Sequence, residues 1–74
     1  MSSLSKIQQG NTVIFISVNG GRAVMKKLMD MGLIPGSPVT VINNPGNGPV
    51  SIMIKGSKIA IGYELAKKIM VRSK

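Results

Sequence analysis

Leu28-Met29-Asp30-Met31-Gly32-Leu33-Ile34-Pro35-Gly36 is the stretch whose reading decides how this chain folds. It reads as the end of a helix, a stop, and a tight turn that launches a strand. Gly32 suits the left-handed conformation just past a helix terminus, because it has no Cβ to clash. Leu33 and Ile34 form an apolar pair of the kind that packs back onto the last helical turn. Pro35-Gly36 supplies the fixed negative φ and the positive φ of a type II turn. The junction serves geometry rather than acid–base chemistry. That points to a shaped module that docks onto something.

Upstream, the helix runs from about Arg22 to Met31. At about 100° per residue, Val24, Leu28 and Met31 fall within about 60° of one another and make a core stripe. Arg22, Met25, Lys26 and Met29 form a second face beside it, two methionines mixed with two cations. Before the helix, Thr12–Val18 reads as a β-branched strand, ended by Asn19-Gly20-Gly21. Its run Val13-Ile14-Phe15-Ile16 predicts that both faces are covered there. In the lead-in, Leu4 and Ile7 fit one helical turn capped by Ser5.

Downstream, Val39–Ile42 is a strand, with Pro38 tolerable as its first residue. Residues 43–49 are a loop of pure turn chemistry. Val50–Lys55 alternates, with Val50, Ile52 and Ile54 on one face. Gly56-Ser57 is expected as a two-residue hairpin turn, returning along Lys58–Ile61. Tyr63–Lys67 fits a helical turn, and Ile69–Arg72 a last strand. The expected fold is mainly β: five short strands with one α-helix inserted after the first. Such a set covers its edges best by curling into a small barrel.

Seventy-four residues make a single domain, 1–74, with no repeat and no linker. There is no cysteine, so the core must hold without disulfides. No apolar run reaches the roughly 18 residues of a membrane span, and the first residues lack the apolar stretch of a secretory signal. A cytoplasmic location is the expectation. Ten Lys/Arg face only Asp30 and Glu64, a net charge of +8 that draws anionic partners and also favours solubility. Nucleic acid, an anionic membrane face and an acidic protein all fit that field.

Leu4 and Gly10, Leu28-x-x-Met31-Gly32-Leu33-Ile34-Pro35-Gly36, Gly48-Pro49-Val50, Gly56, Ile59-Ala60-Ile61, Ala66, Ile69 and Val71 follow one another at the spacings of a known family. The chain resembles FeoA, the small cytosolic companion of the bacterial ferrous-iron transporter FeoB, over nearly its whole length. The resemblance implies an SH3-like barrel and a non-enzymatic accessory role in ferrous iron transport. It implies FeoB, through its cytosolic GTP-binding region, as partner, so that the chain would be peripheral to the membrane. The same domain type follows a helix-turn-helix in iron-dependent repressors. No such segment precedes it in these residues, and an accessory protein is expected instead.

Metal coordination and catalysis find little to work with. Histidine and cysteine are absent, and ferrous sites want grouped imidazole and carboxylate ligands. The methionines suit core filling better than a soft-metal site. Glu64 is expected to pair with Lys67 or Lys68 on a helix surface. No phosphate-binding Gly-Lys-Ser/Thr ending occurs. No catalytic residue, cofactor, metal ligand or small-molecule substrate is therefore assigned. The candidate partner-binding face is Arg22, Met25, Lys26 and Met29, cationic steering beside adaptable apolar contacts. The bland reading buries both methionines under the 43–49 loop. A rival of another class is a basic barrel that binds nucleic acid through phosphates, using Lys26, Lys27, Lys55, Lys58, Lys67 and Lys68. Only Phe15 and Tyr63 are available to stack bases, which speaks against it.

Overall fold

The computed structural model describes all residues, 1–74. Six strands are present: β1 (Ser2–Ser3), β2 (Thr12–Val18), β3 (Pro38–Asn43), β4 (Val50–Ile54), β5 (Ser57–Ile61) and β6 (Ile69–Ser73). Two helices, α1 (Arg22–Asp30) and α2 (Tyr63–Lys68), and a 3₁₀ turn over Leu4–Lys6 complete the chain. The five expected strands are all there. The additional β1 is only two residues long and pairs with β6, so that α1 follows the second strand of the sheet. A stretch as short and polar as Ser2-Ser3 carries no strand pattern of its own; β6 recruits it.

The sheet is antiparallel throughout, in the order β1-β6-β2-β3-β4-β5. It rolls around one core of 14 buried apolar residues, with Phe15 the single ring among them. Alternation puts Val13 and Phe15, Val39 and Val41, and Val50, Ile52 and Ile54 inside. The remaining gap lies between β5 and β1. There α2, which joins β5 to β6, packs on the 3₁₀ turn and on β1, with Ala66 and Leu4 buried beneath.

Two β-bulges help the sheet to curl. Register shifts between Phe15 and Ser17 against β6, and between Val41 and Asn43 against β4. The extra residues are Ile16 and Ile42, and an extra residue bends its strand and raises the local twist. This corrects the expectation for Val13–Ile16. Val13 and Phe15 are buried, whereas Ile14 and Ile16 are only half-buried. The unbroken apolar run marks a bulged strand, not one covered on both faces.

The helix–turn junction is built as its residues require. Leu33 N–H donates to the Leu28 carbonyl at 2.9 Å and Gly32 N–H to that of Met29 at 2.9 Å, while Gly32 sits at φ 95°. These bonds satisfy carbonyls that a helix end otherwise leaves bare, and they bring the buried Leu28 and Leu33 together. Ser37 N–H then donates to the Ile34 carbonyl at 2.9 Å, with Gly36 at φ 94°, closing the turn over Pro35-Gly36. Phe15 grips the turn with both backbone groups: its N–H donates to the Ser37 carbonyl at 2.9 Å, and its carbonyl accepts from Gly36 N–H at 2.8 Å.

Two local expectations shift by a residue or change partner. The β4–β5 turn is Lys55-Gly56, not Gly56-Ser57, since Ile54 pairs with Ser57 and both turn residues have positive φ, 49° and 83°. That is the mirror-image turn whose twist matches the strands, with glycine at its second position. In the lead-in, Ser5 caps nothing; its hydroxyl lies 2.8 Å from that of Ser3, and Ser3 occupies the cap position without a capping bond.

Two stability changes should follow. Gly32→Ala should lose about 1–2 kcal/mol in urea unfolding, and Gly32→Asn less, because the left-handed backbone is the cost. A Cβ there would meet only Ile54 Cγ2 at 3.9 Å, so steric clash contributes little. Lys55→Asn should gain about 0.5–1 kcal/mol in the same assay, as asparagine tolerates positive φ better than lysine.

Candidate functional site

All ten lysines and arginines are exposed, and both carboxylates stand on helices: Asp30 closes α1 and Glu64 lies in the first turn of α2. No strand carries a negative charge. The sheet and its hairpin therefore present only cations and neutral groups to the outside. This sorting could not be read from net charge alone.

Of the four residues expected to form the partner face, three stand clear of the core. Arg22 and Lys26 are exposed and Met29 is 48% exposed. Met25 is half-buried and packs against the core beside Val24 and Met31, while Leu28 is fully buried. The helix is thus seated on Leu28, flanked by partly covered side chains, with a narrower free face than four residues imply. The 43–49 loop is tied down at Asn44. Asn44 holds that loop to the 3₁₀ turn, its side-chain amide donating to the carbonyls of Ser5 at 3.0 Å and Ile7 at 2.7 Å. Its own oxygen accepts from Gly46 N–H at 3.0 Å, closing a local turn.

A cleft of about 530 Å³ lies elsewhere, among β1, the 3₁₀ turn and α2, and sequence reasoning missed it. Ser2, Ser3, Ser5 and Tyr63 line it with hydroxyls, and Lys6 and Lys67 with ammonium groups. Lys67 Nζ sits 5.3 Å from the centre of the Tyr63 ring and 3.5 Å from Glu64 Oε2, so the expected helix-surface ion pair is present. The four-residue spacing of Tyr63 and Lys67 was the legible signal, since such positions share a helix face. The other wall depends on β1, which has no pattern to read.

The aromatic residues offer no base-stacking platform. Phe15 is fully buried and Tyr63 is half-buried with a lysine over its ring. No three of His, Cys, Asp and Glu group together. No helix is long and apolar enough to cross a membrane.

The FeoA domain pattern matches residues 2–73, nearly the whole chain. The chain belongs to the FeoA domain family. A relative from Methanocaldococcus jannaschii, provisionally named Fe(2+) transport protein A, is 46% identical over 71 residues, covering 96% of this chain and 85% of its own. The crystal structure of an iron uptake regulatory protein, FeoA, superposes with a TM-score of 0.87 at 37% identity, covering 95% of this chain and 93% of the other. A manganese-dependent transcriptional repressor superposes equally well, at 0.87, over 99% of this chain but only 36% of its own, at 19% identity. That last likeness is one of fold. The SH3-like barrel expected of a FeoA domain is the architecture observed.

The two helix methionines should separate in a stability measurement. Met25→Ala should cost about 1–2 kcal/mol, the share of a core truncation that its partial burial implies. Met29→Ala should cost less than about 0.5 kcal/mol, as for surface substitutions. Chemical unfolding of the two variants side by side tests whether the free face begins at Met29.

Proposed function

We propose that this chain is a non-enzymatic accessory protein of ferrous iron uptake that docks onto the cytosolic part of its membrane transporter, FeoB. Family membership and the relative named for Fe(2+) transport support the pathway. The observation that carries docking is the free side of α1, where the exposed Arg22 and Lys26 stand beside a half-exposed Met29. Unbranched methionine adapts to a partner's contour, and the cations steer the encounter towards acidic surface. The protein then works in the cytoplasm, held at the membrane through its partner. With neither histidine nor cysteine, it acts on the transporter and not as a carrier of the ion.

Purified transporter cytosolic part should bind this protein weakly, with affinity falling as salt rises, because steering between exposed charges is screened. A triple Arg22→Ala, Lys26→Ala, Met29→Ala variant should bind at least about tenfold more weakly, the loss of roughly 1.4 kcal/mol. Unchanged binding by that variant removes this face; no binding at low salt removes the docking reading. A gel shift with generic RNA and duplex DNA at physiological salt checks the rival, and a tight, competition-resistant complex there would favour phosphate binding instead.

A further inference from the structure

One end of the sheet is left open. At the other end, β1 is two residues long and α2 packs on it, as well as on the 3₁₀ turn and β6. β5, with five residues, pairs with β4 alone. Its register fixes which peptide groups face outward. In a two-residue hairpin the pair flanking the turn, here Ile54 and Ser57, exchanges both N–H···O bonds, and bonded pairs then alternate along the ladder. Ile59 and Ile61 therefore bond to β4, while Lys58 and Ala60 aim their N–H and C=O groups away from it. Neither Lys58 nor Ala60 takes part in any backbone bond outside the ladder, and both are exposed. Their peptide groups form a free strip, ready to pair with another strand.

Strand edges of this kind are normally blunted by a bulge, a proline, a covering element or a charge. The two bulges lie in β2 and β3, and β5 runs without a register shift or a proline. Lys58 is the remaining guard. It lies opposite the exposed Met53, on the outer face of the sheet. There it repels a second copy of this +8 chain and favours a strand with acidic residues at the facing positions. On the inner face, Ile59 packs against the core yet is only half-buried, leaving apolar surface for a neighbour. The strand that fits therefore alternates, acidic beside Lys58 and apolar beside Ile59. Directly opposite residues of an antiparallel pair share a face, so the acidic residues are also those whose N–H and C=O meet Lys58 and Ala60.

We propose that the free edge of β5 receives an extended acidic segment of a partner protein, which joins the sheet as one more antiparallel strand. Fluorescence anisotropy with the purified full chain tests this, using a short labelled peptide that alternates aspartate with valine. A control peptide carries lysine in place of aspartate. The aspartate peptide should bind and the lysine peptide should not. Amide hydrogen exchange read by NMR tests the geometry. In the free chain Lys58 and Ala60 should exchange faster than Ile59 and Ile61, and saturating aspartate peptide should slow Lys58 and Ala60 at least about tenfold. Lys58→Glu should weaken the aspartate peptide severalfold and admit the lysine peptide, because charges directly opposite decide cross-strand pairing. Methylating the peptide's aspartate nitrogens leaves the protein untouched and should abolish binding; methylating its valine nitrogens should not. The triple α1 variant, Arg22→Ala, Lys26→Ala, Met29→Ala, should bind the peptide as wild type does, so this proposal and transporter docking fail separately. Four outcomes overturn the proposal: no binding of the aspartate peptide, equal binding of both peptides, unchanged exchange at Lys58 and Ala60, or binding lost on methylating valine rather than aspartate nitrogens. Protection of Lys58 and Ala60 that rises with protein concentration alone would also overturn it, by giving the edge to a second copy.

Discussion

One small knot of backbone bonds governs the rest of this fold: Phe15 gripping the Ile34–Ser37 turn while Leu33 bonds back to Leu28. Three elements meet in it. Phe15 belongs to β2, Leu28 to α1, and Ser37 leads directly into β3. Because both peptide groups of Phe15 are engaged by the turn, the exit of the helix is tied to a fixed residue of the strand that precedes it. Its ring and the two leucines are fully buried together, so backbone and side chains select the same geometry. Slip the turn by one residue and β3 would reverse its faces, sending Val39 and Val41 outward.

The orientation of α1 follows from that tie. With Leu28 held inward at the helix end, Val24 and Met25 are drawn against the core and Arg22, Lys26 and Met29 turn away. Gly32 is then set against the buried Ile54 at the end of β4, while Met29 and Ile34 on either side of it stay exposed. The bulges at Ile16 and Ile42 do the complementary work on the sheet, curving it until α2 and the 3₁₀ turn can cover the gap. What the outside displays is a by-product of how the inside is closed.

Much of this was legible because glycine and proline restrict φ in ways no other residue does. Gly32 and Pro35-Gly36 announce a helix stop and a turn whatever surrounds them. Alternation in Val50–Ile54 and the three-and-four spacing of Val24, Leu28 and Met31 were equally direct. The errors have a common physical cause, which is competition between residues that tolerate the same site. Glycine can occupy either position of a two-residue hairpin turn, and only the pairing of Ile54 with Ser57 decides that Lys55 takes the first. Ser2-Ser3 becomes a strand through β6, and Asn44 becomes an anchor through carbonyls 39 and 37 residues away. None of those partners is local.

The surface was harder to read than the core for a related reason. A buried position is specified by its own apolar side chain, but an exposed one is defined by what fails to cover it. Met25 and Met29 are the same residue four positions apart, which on a helix leaves them only about 40° apart. One packs against the core and the other stands half in solvent, a difference set by the seat of Leu28 rather than by either side chain. Charge obeys the same logic. Ten cations on so small a barrel are bound to be exposed, yet only the fold shows that both carboxylates ride on helices and that no strand carries one. A net positive field of this kind favours encounter with anionic partners at long range, and uncovered apolar tips such as Met29 and Ile34 offer contact at short range. The geometric junction that looked chemically silent is what leaves those tips uncovered.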